Sequence, residues 1–188
     1  MKRGKTTGGK SMTASRARKI SGLTAVLAMA AIVGAAALAV RAQSSATSGR
    51  AAYDVIRGYR HWNHVRTMTV YDASSPLFAD FAGIHNVYVN DVGFKTLRTG
   101  GKYPDGTVFV FDLFALDAQT GAYAQGKRTA LAVMVKDTKG HADTGGWSFA
   151  VYADGNPSKQ IVKDAKTECF ACHGEQKTTD FVFSKWVP

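Results

Sequence analysis

Cys169-Phe170-Ala171-Cys172-His173 is a C-x-x-C-H run near the end of a chain of 188 residues that holds only these two cysteines. Two sulfurs three positions apart project from one side of a helical turn, so both can bond the vinyl groups of a single porphyrin. The imidazole that follows is then placed to ligate the iron. The spacing therefore predicts one haem c, covalently held through Cys169 and Cys172, with His173 as metal ligand. A structural zinc site needs four ligands, and His61 and His64, which could complete one, lie more than a hundred residues away. A thioredoxin-type dithiol opens a helix directly after a buried strand, whereas the charged stretch Lys163-Asp164-Ala165-Lys166-Thr167-Glu168 precedes this pair. A disulfide across two residues would close a tiny loop and stabilise little.

Only fifteen residues follow His173, and they contain neither Met nor His. A sixth iron ligand would have to come from upstream, from Met68, Met134, His61, His64, His85 or His141. Met134 sits in an apolar strand and reads as core. His61 and His64 lie among Arg60, Asn63 and Arg66 and read as solvated, while His85 and His141 stand alone beside turns. An iron with one open face is the expectation.

The elements that must carry this site can be read from periodicity. Apolar or aromatic residues at Tyr53, Val55, Ile56, Tyr59 and Trp62 give a helical spacing over 51–65, despite Gly58. Strands are expected over 86–90, over 106–114 after the Pro104-Asp105-Gly106 turn, over 130–136 and over 147–152. Residues 92–99 form a short helix stopped by Gly100-Gly101, and 157–173 turns helical again through Ile161, Val162 and Ala165 into the cysteine motif. Strands joined by short turns cannot be parallel. The expected class is α+β, mainly β: an antiparallel sheet of about four to five strands with an N-terminal helix and a C-terminal haem-bearing helix. The porphyrin would lie between that last helix and one sheet face. Trp147, Tyr152, Phe181, Phe183 and Trp186 supply aromatic surface for a haem wall, a subunit contact or the core.

The other end of the chain speaks to compartment. Seven cations and no acid occupy the first nineteen residues, and 20–40 then carries no charge. That pattern is an export signal, with cleavage after Ala42 expected and an uncleaved membrane anchor as the alternative. Residues 1–42 are thus a signal peptide or anchor, 43–50 a linker, and 51–188 one domain large enough to bury a core. Export would place that domain in a bacterial periplasm, with no membrane contact beyond the N-terminal segment. The 24 Lys and Arg against 14 Asp and Glu suggest a basic protein, but eight cations and no acids fall in 1–42. The remaining 16 against 14 gives no reason to expect a nucleic-acid partner.

Several longer segments carry a resemblance. Gly58-Tyr59-Arg60-His61-Trp62, Val87-Tyr88-Val89-Asn90-Asp91, Tyr103-Pro104-Asp105-Gly106-Thr107-Val108, Met134-Val135-Lys136-Asp137 and Gly145-Gly146-Trp147-Ser148-Phe149 occur in this order, followed by C-x-x-C-H and Asp180-Phe181-Val182-Phe183. In that order they resemble the cytochrome P-460 family over about Tyr53 to Trp186. The resemblance implies a mainly β fold, one c-type haem with five-coordinate iron on a histidine, and a homodimer. Its founding enzymes oxidise hydroxylamine, and a non-enzymatic branch, the cytochromes c′-beta, binds nitric oxide and carbon monoxide.

One position departs from the enzymes. They carry a lysine joined covalently to the porphyrin on the strand after the Asp-Gly-Thr turn, and alignment on Asp105-Gly106-Thr107 puts Phe111 there. Strand alternation sets Thr107, Phe109, Phe111 and Leu113 on one face and Asp112 on the other, so Phe111 is a candidate cofactor contact with an apolar ring. An apolar pocket suits small neutral diatomics and offers no base for hydroxylamine. The expected function is gas binding by a c′-beta-like protein. Oxidation of hydroxylamine or nitric oxide is the alternative, with Lys102 or Lys127 as a lysine reaching the haem from elsewhere. A six-coordinate electron carrier serving a redox partner protein is the third possibility.

Overall fold

The computed structural model describes residues 53–187, so the expected signal or anchor over 1–42 and the linker over 43–50 lie outside the described residues. Five antiparallel strands run in chain order across one sheet: β1 (Asn63–Val70), β2 (Gly83–Val89), β3 (Val108–Gln119), β4 (Ala122–Lys136) and β5 (Trp147–Ala153). Short helices connect or follow them: α1 (Phe78–Phe81), α2 (Asp91–Thr99), α3 (Ala165–Glu168) and α4 (Phe170–His173). A 3-10 segment, Gly174–Thr179, continues directly from α4. The mainly β antiparallel architecture and the C-terminal helical motif are as the sequence predicts.

Several boundaries differ. Of the helical run expected over 51–65, Tyr53 and Asp54 are helical and Tyr59–His61 is one 3-10 turn, but Asn63 already begins β1. Gly58, at φ 77°, takes the left-handed conformation that ends a helix, and the β-branched residues of Asn63–Val70 favour a strand. Toward the C-terminus, helix starts only at Ala165, where the Asp164 side chain accepts from Lys166 N at 3.0 Å. Gln160 instead bridges back to Tyr152 at the sheet edge. β3 and β4 extend beyond the apolar runs as an exposed hairpin closed by Thr120-Gly121. α2 forms where expected: Asn90 caps it by accepting from Gly93 N at 3.1 Å, and Gly100 ends it.

Each sheet face has its own core. One face, with Val108, Val110, Leu131, Val133, Ala150 and Tyr152, is covered by Ile56 and Tyr59 of the N-terminal segment. The other, with Val65, Val89, Phe109 and Trp147, is covered by Leu97 of α2, Tyr103 and Val182 of the C-terminal tail. Between the first cover and the sheet lies Asp112, 1% exposed, held by Tyr59 Oη, by Arg60 Nη2 at 3.1 Å and by Arg128 Nε at 2.6 Å. This carboxylate fastens the N-terminal segment to β3 and β4, and pushes the Tyr59 phenol, already raised by burial, further up.

Candidate haem-attachment site

The site is built from the C-terminal turns and the sheet face that bears Phe111. Cys169 separates α3 from α4 and is half-buried; Cys172 is exposed, and both are free thiols. Burial pushes the Cys169 thiol up to about 11, with Glu168 and Cys172 adding to the rise. A thiol held protonated is a poor redox or zinc-binding thiolate.

His173 is fixed from two directions. Its Nδ1 donates to the Phe181 carbonyl at 2.8 Å, so the proton sits on Nδ1 and Nε2 keeps its lone pair for a metal. Phe149 of β5 meets the imidazole at 5.0 Å and Phe183 of the tail meets it edge-on at 4.9 Å. Burial lowers the His173 pKa, which the Phe181 hydrogen bond partly offsets, and the ring is held neutral as a ligand must be.

The register shows what shares this side of the sheet. Phe149 pairs with Met134 and Met134 with Phe109, while one step along the same face Val87, Phe111, Ala132 and Val151 pair in a row across four strands. All four of that row are half-buried, although their neighbours Phe109, Leu113 and Val89 are buried. An apolar strip is thus left partly open on the face where His173 packs. Phe111 faces this strip and Asp112 the opposite side, as alternation requires. The Phe111 ring also touches His85 at 4.7 Å.

The other sequence candidates are dispersed. His61 and His64 are exposed, and His64 rests on Tyr88 and Thr67. His85 is buried, with Nε2 bonded to the Phe81 carbonyl. Met68 pairs with His85 at the far end of the sheet face, and Met134 packs in the core beside Phe149. Lys102 and Lys127 are exposed, Lys127 facing Asp154 at 3.6 Å. Trp147 and Tyr152 are both fully buried on opposite faces, and Trp186 packs on Phe94. His141 lines a cavity of about 370 Å³ with Asp137, Asp143 and Asp164, and none of Cys169, Cys172 or His173 borders it. The Phe181 carbonyl and the Phe149 ring were not legible as site groups, because neither a backbone acceptor nor a tertiary ring contact leaves a spacing signal; Phe183, expected only as aromatic surface for a haem wall, a subunit contact or the core, is a ring that meets His173.

The sequence model of the Cytochrome P-460 family matches residues 56–184, most of the described chain. The chain belongs to the cytochrome P-460 family. No curated protein matches it. The matched span holds the whole sheet, the Cys169 and Cys172 pair spaced for covalent haem c, and the Phe181 carbonyl that holds His173.

The residues fit such a group. Among the described residues no three His, Cys, Asp or Glu side chains converge as metal ligands. One imidazole with a free Nε2 therefore suits an iron whose other donors come from a porphyrin, and the half-open strip suits the apolar macrocycle.

Proposed function

We propose that this is an exported mono-haem c-type cytochrome that binds small neutral ligands such as nitric oxide or carbon monoxide. Cys169 and Cys172 would each form a thioether by adding S–H across a vinyl group, with no change of redox state, and His173 Nε2 would ligate the iron. When bound, the haem supplies the metal centre at which a diatomic coordinates. The protein's part would be to hold the His173 imidazole neutral and oriented, and to present an apolar surface.

The observation that carries this reading is the apolar row Val87, Phe111, Ala132 and Val151, which holds no acid and no lysine, while the imidazole beside Phe111, that of His85, has its Nε2 bonded to the Phe81 carbonyl. Removing protons from hydroxylamine calls for a base within hydrogen-bond reach. The buried Lys136 is held by Asp180 at 2.9 Å, which commits its amine elsewhere. No cross-link between lysine and porphyrin is expected.

Export through residues 1–42 would bring the domain to the periplasm, where c-type haem is attached. No helix among the described residues is long and apolar enough to cross a membrane, so any tether would be the N-terminal segment. A homodimer is the expected assembly, as the family resemblance implies, and sedimentation of the mature protein would test it.

The test of function is chemical. A pyridine haemochrome spectrum should be that of haem with two thioethers, mass spectrometry should show no lysine adduct, and hydroxylamine with an electron acceptor should not be turned over. Steady hydroxylamine oxidation, or a lysine adduct, would transfer the protein to the enzymatic branch.

A further inference from the structure

Three of the family segments, around Lys136, around Gly145 to Trp147 and around Asp180 to Phe183, contribute neither sulfur nor imidazole, yet the fold brings them together. Lys136 Nζ donates to the two Asp180 carboxylate oxygens at 3.0 and 2.9 Å and to the Gly145 carbonyl at 3.1 Å. Asp180 Oδ2 also accepts from Tyr103 N at 2.8 Å, and Trp147 Nε1 donates to the Asp180 carbonyl at 2.9 Å. Lys136 and Asp180 are only 6% and 8% exposed, and the ammonium lies over the Trp147 ring at 4.8 Å.

A buried ion pair loses the hydration of both charges and gains little net stability over an apolar pair of the same shape. Its effect here is geometric. Asp180 and Phe181 are consecutive non-glycine residues in the left-handed region, at φ 51° and 69°, a conformation that persists only where the surroundings impose it. The contacts to Lys136, Tyr103 and Trp147 impose it at Asp180. The Phe181 ring is seated on Gly145, where an added Cβ would come within 2.3 Å of it. That double left-handed turn aims the Phe181 carbonyl at His173 Nδ1, at 2.8 Å.

We infer that Lys136 and Asp180 are positioning residues for the His173 imidazole, acting through the Phe181 carbonyl to set how strongly His173 would donate to iron. The inference rests on His173 being the iron ligand. A hydrogen bond accepted from Nδ1–H makes an imidazole a stronger donor through Nε2, so losing its alignment weakens that donation.

The experiment uses full-length, haem-loaded protein. In ferrous Lys136→Met/Asp180→Asn, the charge-neutral double variant, the iron–histidine stretching band in resonance Raman should move to lower frequency and the reduction potential should rise. Asp180→Asn alone keeps an acceptor for Tyr103 N–H and a residue that tolerates the left-handed region but leaves the Lys136 ammonium without its anion, so it should be less stable than the double variant and, where haem-loaded, give a smaller shift in the same direction. Asp112→Asn, which disturbs the ion cluster on the opposite face, should leave the band where it is. A pyridine haemochrome on every sample separates the possible failures. An unmoved band in haem-loaded Asp180→Asn and double variants, or an equal shift in Asp112→Asn, would overturn the inference, whereas wild-type protein lacking thioether haem would overturn the reading beneath it.

Discussion

His173 Nδ1 is committed to the Phe181 carbonyl at 2.8 Å, and its tautomer follows from that bond alone. The fully buried imidazole, His85, is in a less balanced state: Nε2 bonds the Phe81 carbonyl, while Nδ1 has no partner among the described residues. Burial lowers its pKa, which the Phe81 contact partly opposes. With a folded-state pKa below the unfolded value of about 6.5, the unfolded chain takes the proton more readily, so stability is full above that pH and falls as pH drops through it. His85→Gln should therefore flatten the acid side of the stability curve, removing up to about 1.4 kcal/mol per pH unit, as read by urea unfolding at pH 7.5 and 5.5. An unchanged slope would show that His85 is not the titrating group. At this scale the sequence marks Cys169, Cys172 and His173 as candidates through the spacing that covalent haem attachment requires. Phe111 became a candidate through the family resemblance, aligned on Asp105-Gly106-Thr107, and alternation gave its face as the register has it. Phe149 was not a candidate and Phe183 was expected only as unassigned aromatic surface, since their contact with the imidazole depends on how the tail folds back.

The sheet is a simple meander, and what ties other elements to it is polar and buried. Asp112 on β3 binds Tyr59, Arg60 and Arg128 together, joining the N-terminal segment to β3 and β4. Asp112→Ala would leave the partly buried Arg128 guanidinium without its partner, and should cost about 3 kcal/mol, measured by chemical denaturation, with the haemochrome spectrum unaltered. Gly145→Ala is harmful for a different reason: φ is 67° and the new methyl would overlap the Phe181 ring. A loss on the order of 2 kcal/mol is expected, together with a perturbed iron–histidine band, because Phe181 carries the His173 contact. Strand periodicity revealed the buried halves of β3, β4 and β5, where apolar residues alternate. It missed β1, whose Arg66, Thr67 and Thr69 leave only a partial apolar pattern, and the outer hairpin, whose residues are exposed on both sides. It also overextended both terminal helices, since Gly58 and the Asp164 cap set boundaries that apolar spacing alone does not mark.

Over the whole molecule, two covers lie on two sheet faces with different duties. The N-terminal segment closes one face around Asp112, and the C-terminal tail both closes the other and delivers Cys169, Cys172 and His173 to it. The apolar row through Phe111 stays partly open on that second face, and the proposal of ligand binding rests on it. Family membership and the sheet fix the architecture. The exposed positions of His61 and His64, the core packing of Met134, and the bond of His85 Nε2 to the Phe81 carbonyl shape the functional claim. That claim is most directly tested by the carbon monoxide difference spectrum of the dithionite-reduced, haem-loaded protein. A high-spin, five-coordinate ferrous spectrum should convert on carbon monoxide addition to that of a six-coordinate adduct. A low-spin, six-coordinate ferrous spectrum that carbon monoxide leaves unchanged would contradict it.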